Sequence, residues 1–345
     1  MAYTTINKST SYFDTKLYVG GNGSATTISG LGFAPDFIWA KSRDDSGVHA
    51  LMDRLRSGGY GHGWVRSESS DAENNNSGRG NISSFTSDGY VLSADTWGAS
   101  NEGTTNHVAW NWIAGGAGSS NSNGSITSTV SANTTSGFSI VTYTGTGSNA
   151  TVGHGLGVVP KMIMVKCRSE SQDWFVYHNG IGTNALRLNG TGASEGGVWN
   201  STAPTSSVFS IGTAQAVNKS SGTYVAYCFA EKPGYSKIGS YTGNGNADGT
   251  FVYTGFKPTF VLTKGNSAGE NWFIHDGTRN THNPTNKYIR PNLSNAEGSY
   301  DHLDLLSNGF KSISAGSTNG NNVQQIYMAF GQTLVGSNNI PCTAR

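Results

Sequence analysis

The residues with the clearest chemical capacity are two Asp-x-x-Arg pairs, Asp53 with Arg56 and Asp276 with Arg279, each followed by a glutamate, Glu73 and Glu297. Two carboxylates flanking one glycosidic bond are what a glycoside hydrolase requires, and Asp53 with Glu73, or Asp276 with Glu297, can be drawn that way. The simpler reading is an ion pair that ties a loop to a strand end. Where the pattern is due a third time the chain carries His178 and Ile181, with Glu195 beyond. A hydrolytic pair kept in two of three related segments would be unusual, so no catalytic residue is assigned and the chain is read as non-enzymatic.

Other reactive types are scattered. His62, His154 and His178 have no partner at metal-ligand spacing. Cys167, Cys228 and Cys342 form no Cys-x-x-Cys pattern and read as inert thiols. Gly145-Thr146-Gly147 and Gly243-Asn244-Gly245 lack the following helix that a phosphate loop needs, and read as hairpin turns. No cofactor or metal is expected. Tyr60, Trp64, Trp97 and Trp199 fall in segments that vary between the repeats described below. Flat aromatic faces beside Asn and Asp can stack on sugars, and they can equally cap a core or fill a subunit interface.

The elements that must position these residues repeat. Tyr-x-Gly occurs at Tyr18, Tyr143 and Tyr241, and a proline follows each tyrosine by seventeen residues, at Pro35, Pro160 and Pro258. A glycine precedes each proline by three, and a lysine follows each by six, at Lys41, Lys166 and Lys264. Between proline and lysine lies a short apolar run, too short for a helix, which reads as a strand. Fourteen residues past the proline come His49, Trp174 and Trp272. The two tryptophans are expected to anchor the core. Each copy closes on an apolar strand: 107–112, 224–229 and 325–330. The expected architecture is all-β: three tandem, diverged, jelly-roll-like β-sandwiches. The boundaries are a leader at 1–12, units at 13–114, 137–232 and 233–333, a Gly/Ser/Asn/Thr-rich linker at 115–136 and a tail at 334–345. The linker reads as a flexible hinge that holds at most a short strand near 126–130, and the second and third units are expected to pack tightly.

Composition agrees. Only 12% of residues are charged, against about 25% in ordinary domains, and 48 glycines accompany 37 aromatics (8 Trp, 15 Tyr and 14 Phe). A net charge of +1 with no basic run argues against nucleic-acid binding. No apolar stretch approaches the roughly 20 residues needed to cross a bilayer, so no membrane insertion is expected. The start of the chain lacks a signal-peptide pattern, so the protein is expected to stay in the cytoplasm or leave the cell by lysis.

Tyr-Thr-Gly-x-Gly, Gly-Phe-x-Pro-x-Phe, Trp-x-x-x-Asp and Tyr-Val-Ala-Tyr-Cys-Phe-Ala together resemble a repeat found in structural proteins of marine tailed phages, especially those infecting cyanobacteria. The resemblance covers nearly the whole chain. It implies a virion component such as a tail fibre, appendage or capsid-attached protein, assembled in the host cytoplasm. It also implies contact with other copies of itself (a trimer would suit a fibre), with other virion proteins and with host-surface glycan. A cell-envelope polysaccharide depolymerase and a lectin are the alternatives. The first unit departs most, with His49 in place of tryptophan.

Overall fold

The computed structural model describes residues 4–56, 63–74, 80–95 and 99–333. The chain is all-β, built from antiparallel sheets that repeat one plan. In the first unit the strands β1 (Phe13–Val19), β7 (Asn106–Trp112), β3 (Phe37–Ser42) and β4 (His49–Asp53) lie side by side in that order. The third unit repeats it as β17 (Ser236–Thr242), β24 (Gln324–Gln332), β19 (Lys257–Gly265) and β20 (Trp272–Asp276). The second does so as β10 (Phe138–Thr144), β16 (Thr223–Phe229), β12 (Met162–Cys167) and β13 (Phe175–His178). Its sheet is widened by β14 (Ala185–Arg187) beside β13, and by β9 (Ser128–Asn133) and then β8 (Ser119–Asn121) beside β10. The segment expected to be a hinge is therefore partly sheet. Alternate side chains of β9, Ser128 and Val130, are buried, and its ladder to β10 uses the backbone groups that a linker would leave to water.

A smaller sheet covers the outer face of each of these inner sheets. In the first unit it is β2 (Thr26–Ile28), β6 (Gly89–Leu92) and β5 (Ile82–Thr86). In the second it is β11 (Ala150–Gly153) with β15 (Val208–Ile211). In the third it is β18 (Phe251–Tyr253), β23 (Gly309–Ser312), β22 (Gly298–Leu306) and β21 (Thr285–Tyr288). Between the sheets lie separate outer cores, such as Ile38, Ala40, Met52 and Ala109 against Ile28, Tyr90 and Leu92.

The inner faces make a different core. Phe37, Trp39, Trp110 and Trp112 share one cluster with Phe138, Met164, Trp174 and Phe229 of the second unit and with Phe260, Trp272, Met328 and Phe330 of the third. Three equivalent rings, Trp112, Phe229 and Phe330, form a triangle with centroid separations of 6.2, 5.8 and 6.1 Å. The units are thus arranged about a common aromatic centre. Three tandem sandwiches with separate cores would stop at the proposed borders; instead the largest hydrophobic cluster among the described residues crosses both of them. Period-two alternation explains how. Strands β3, β4 and β12 are buried at every position, so one row of side chains feeds the outer core and the other the shared one. The leader joins in through Ile6, which is buried in the shared cluster. The backbone N–H of Ser9 donates to Gln332 Oε1 at 2.6 Å, so the leader meets the end of the third unit.

The repeated landmarks occupy like surroundings. The hydroxyls of Tyr18, Tyr143 and Tyr241 donate to the carbonyls of Ser100, Val217 and Thr318. Gly20, Gly145 and Gly243 follow them because a Cβ there would strike the backbone carbonyl of Glu102, Lys219 or Gly320. Pro35 and Pro160 precede β3 and β12, and Pro258 sits at a register shift in β19.

Candidate functional site

The residues that sequence reading marked as reactive gather where one unit meets the next. Asp53 ends β4 and points inward. Its carboxylate accepts from Arg56 Nε and from the Arg56 backbone N–H. Arg56 also donates to Glu73 Oε1 at 2.7 Å and to the carbonyl of Leu51 at 2.7 Å. The side chains of Asp53 and Arg56 are both 0% exposed. Burial disfavours the guanidinium charge, but Asp53, Tyr227 and Glu73 together raise its pKa. The second unit completes the group: Tyr227 Oη donates to Asp53 Oδ2 at 2.8 Å, and Arg168 Nε to Glu73 Oε2 at 2.6 Å.

The same construction joins the third unit to the first. Arg279 donates to Asp276 at 2.6 Å and to Glu297 at 3.1 Å. Trp110 Nε1 donates to Asp276 Oδ2 at 3.0 Å, and Arg43 grips both oxygens of Glu297 at 3.0 and 2.9 Å. Neither Asp–Arg group faces open solvent. Each is a buried, hydrogen-bonded joint, the arrangement in which paired charges are tolerated inside a protein.

At the joint between the second and third units Met328 stands where the others offer Tyr227 or Trp110. It has no donor, and the opposing residue is His178 rather than aspartate. His178 Nδ1 accepts from the Gly180 N–H, so Nε2 carries the proton and donates to the Tyr327 carbonyl at 3.2 Å. Burial pushes its pKa down to about 4. The glutamate–arginine bridge is replaced too: Asn266 accepts from the Ser194 N–H at 3.0 Å, while Glu195 pairs within its own unit with Arg187. The irregularity of the sequence pattern is thus matched across the interface.

Trp174 and Trp272 lie in the shared cluster, 0% and 1% exposed, and they also fasten the ring. Trp174 Nε1 donates to the Arg66 carbonyl of the first unit at 2.6 Å, and Trp272 Nε1 to the Arg187 carbonyl of the second at 2.9 Å. His49 closes the cycle. Its Nδ1 accepts from Trp39 Nε1 at 2.9 Å, which leaves Nε2 to donate to the Arg290 carbonyl of the third unit at 3.1 Å. Burial, with Lys41 nearby, lowers His49 to about 3. Trp39 stands at the position equivalent to Met164 and Leu262, and all three are buried in the shared cluster. The three repeated lysines are buried and lowered by burial to about 8. Lys166 and Lys264 each donate to a carbonyl of the neighbouring unit, Ser70 at 3.0 Å and Gly192 at 3.3 Å.

Of the four aromatics read as sugar contacts, interface fillers or core caps, the two described ones are core residues. Trp64 and Trp199 are each 1% exposed and belong to the outer cores of the first and second units. Tyr60 and Trp97 lie outside the described residues, as do His62 and Cys342. Cys167 and Cys228 are buried free thiols. Among the described residues, no group of three His, Cys, Asp or Glu is placed to hold a metal ion.

One seam is less filled. Between β1 and the loop after β20 lies a cleft of about 320 Å³, lined by Thr10, Asp14 and Thr15 on one side and Lys257, Asn280 and His282 on the other. Burial raises the Asp14 pKa while Lys16 pulls it back. The wall combines hydroxyls and amides with one carboxylate, one ammonium and one imidazole, beside the apolar Phe13, Pro258 and Leu305, so it offers hydrogen-bonding groups to a small polar ligand. No sequence signal marked it, because its walls come from opposite ends of the chain.

A family described as a domain of unknown function, DUF7483, matches residues 8–333. The chain belongs to that family, and the single match runs through all three units. No curated protein matches the chain.

Proposed function

We propose that this member of the family is a structural protein of a phage virion. It would act as a rigid β block that holds loops outward for assembly with other virion proteins or for contact with host-surface glycan. The observation that carries the reading is the fate of the repeated polar residues. Asp53, Arg56, Asp276, Arg279 and two of the three landmark lysines, Lys166 and Lys264, are spent on fastening three sheets into one body. Rigid scaffolds with variable loops are the usual platform for surface recognition. The test is antibody labelling of purified virions, viewed by electron microscopy. Label at one fixed place on intact particles is expected. Protein found only in the soluble lysate would overturn the proposal.

A second reading, saccharide binding or turnover, rests on the cleft at Asp14 and Lys257, since Asp53 and Asp276 are sealed from any polymer. Binding of host-envelope oligosaccharide that is lost in Asp14→Asn would favour it, and turnover of the polysaccharide would favour the depolymerase form.

A further inference from the structure

In the second unit the edge of the outer sheet is covered. β11 pairs with β15 on one side, with Val152 opposite Phe209. On its other side lies chain from the Gly/Ser/Asn/Thr-rich segment. Ile126 N–H donates to the Thr151 carbonyl at 3.0 Å, Thr151 N–H to Ser125 Oγ at 2.9 Å, and Ser128 Oγ to the Gly153 carbonyl at 2.9 Å. The groups that β11 does not spend on β15, those of Thr151 and Gly153, are thereby satisfied by an added extended segment.

The equivalent strand of the third unit is β18. Val252 stands opposite Phe310, and Thr254 N–H donates to the Asn308 carbonyl as His154 N–H does to that of Ser207. Ser312 N–H donates to the Thr250 carbonyl. Residues 250, 252 and 254 therefore bond toward β23, and the alternation of an antiparallel ladder aims the N–H and C=O of Phe251 and Tyr253 the other way. Among the described residues β18 pairs with β23 alone. These two residues are 45% and 62% exposed. The corresponding positions are Thr27 and Ser29 in the first unit and Thr151 and Gly153 in the second. An uncharged Phe-Val-Tyr edge is what soluble sheets ordinarily avoid. Lys311, which stands opposite Phe251 on β23, is paired with Asp248.

We propose that β18 is a pairing surface for a second copy of this chain, joined by antiparallel strand addition about a two-fold axis at Val252. That register sets Phe251 opposite Tyr253 of the second copy, and Tyr253 opposite its Phe251. The residues brought together are those with outward backbone groups, so the pairing forms four main-chain hydrogen bonds. It also forms two cross-strand aromatic pairs, a favoured combination on a sheet face. The surface is its own complement, which selects a second copy over a foreign strand, and an isologous contact closes at two.

Sedimentation velocity of the full chain over roughly 1–300 µM tests this, a range that reports a micromolar Kd. The wild type is expected to show a reversible monomer–dimer equilibrium. Phe251→Pro removes an N–H that faces away from β23, where proline is tolerated in an edge strand. The double variant Phe251→Thr/Tyr253→Ser installs the residues of the first unit. Both should weaken association at least tenfold while keeping the wild-type melting temperature. A wild type that is monomeric throughout, or a dimer that persists in both variants, would overturn the proposal. So would a dimer that the wild type forms only with an added foreign peptide.

Discussion

The joint between the first and second units and the joint between the second and third solve one problem in opposite ways. At the first, a carboxylate is buried, and Arg56, Tyr227 and the chain beside it supply its hydrogen bonds. At the second, Met328 replaces the donor and neutral His178 with Ile181 replaces the ion pair. A charged joint is held together by its complete set of partners and fails when one is removed. A neutral joint at the same place is indifferent to its donor. The three joints therefore carry similar geometry with unequal sensitivity.

Substitution should expose that inequality most strongly at Asp53. Asp53→Ala leaves Arg56 buried beside Tyr227 with its main partner gone, and should cost about 3–5 kcal/mol in urea unfolding. Ile181→Ala at the neutral joint, where the residue is 8% exposed, should cost less, at the low end of the roughly 2–5 kcal/mol range for truncated aliphatics. Equal losses would erase the distinction.

Acid should then find the neutral joint. His178 has its pKa depressed from 6.5 to about 4 by burial. Its contribution is complete above pH 6.5 and is lost as pH falls through that value toward 4. At about 1.4 kcal/mol per unit this amounts to roughly 3 kcal/mol. Melting temperatures of wild type and His178→Gln between pH 7.5 and 4 check it. The wild type should lose more over that window, because glutamine keeps the hydrogen-bonding groups without titrating. His49 and His302 are also lowered by burial and add to the acid sensitivity of both proteins alike, so the difference isolates His178.

The smallest effect concerns the donors. Tyr227→Phe removes a hydrogen bond to a buried carboxylate and should cost about 1–3 kcal/mol. Met328→Leu conserves volume and should cost less than about 1.5 kcal/mol. Comparable values in chemical unfolding would mean that the tyrosine hydroxyl is incidental.

Much of this was legible in the residues. The spacing of Pro35, Pro160 and Pro258 from Lys41, Lys166 and Lys264 located the strands, and the common offset of Trp174 and Trp272 located two core anchors. What was not legible was who covers whom. Alternation tells which residues share a face, but the cover for Trp174 comes from Arg66, 108 residues away. One signal was available: Phe37-Ile38-Trp39-Ala40 and Met162-Ile163-Met164-Val165 are apolar on both faces, which a sheet exposed on one side does not need. The same blindness left Trp64 and Trp199 open between sugar contact, subunit interface and core cap. It also left Asp53 and Arg56 as a local loop tie, because Tyr227 lies 174 residues from Asp53.

The central claim is that the three sheets share one core and stand or fall together. Differential scanning calorimetry of the wild type and of Trp174→Ala tests it most directly. Removing an indole from the shared cluster should cost about 3–5 kcal/mol and shift a single transition whose calorimetric and van't Hoff enthalpies agree in both proteins. A resolved early transition confined to residues 137–232, with the remainder melting as in the wild type, would contradict it.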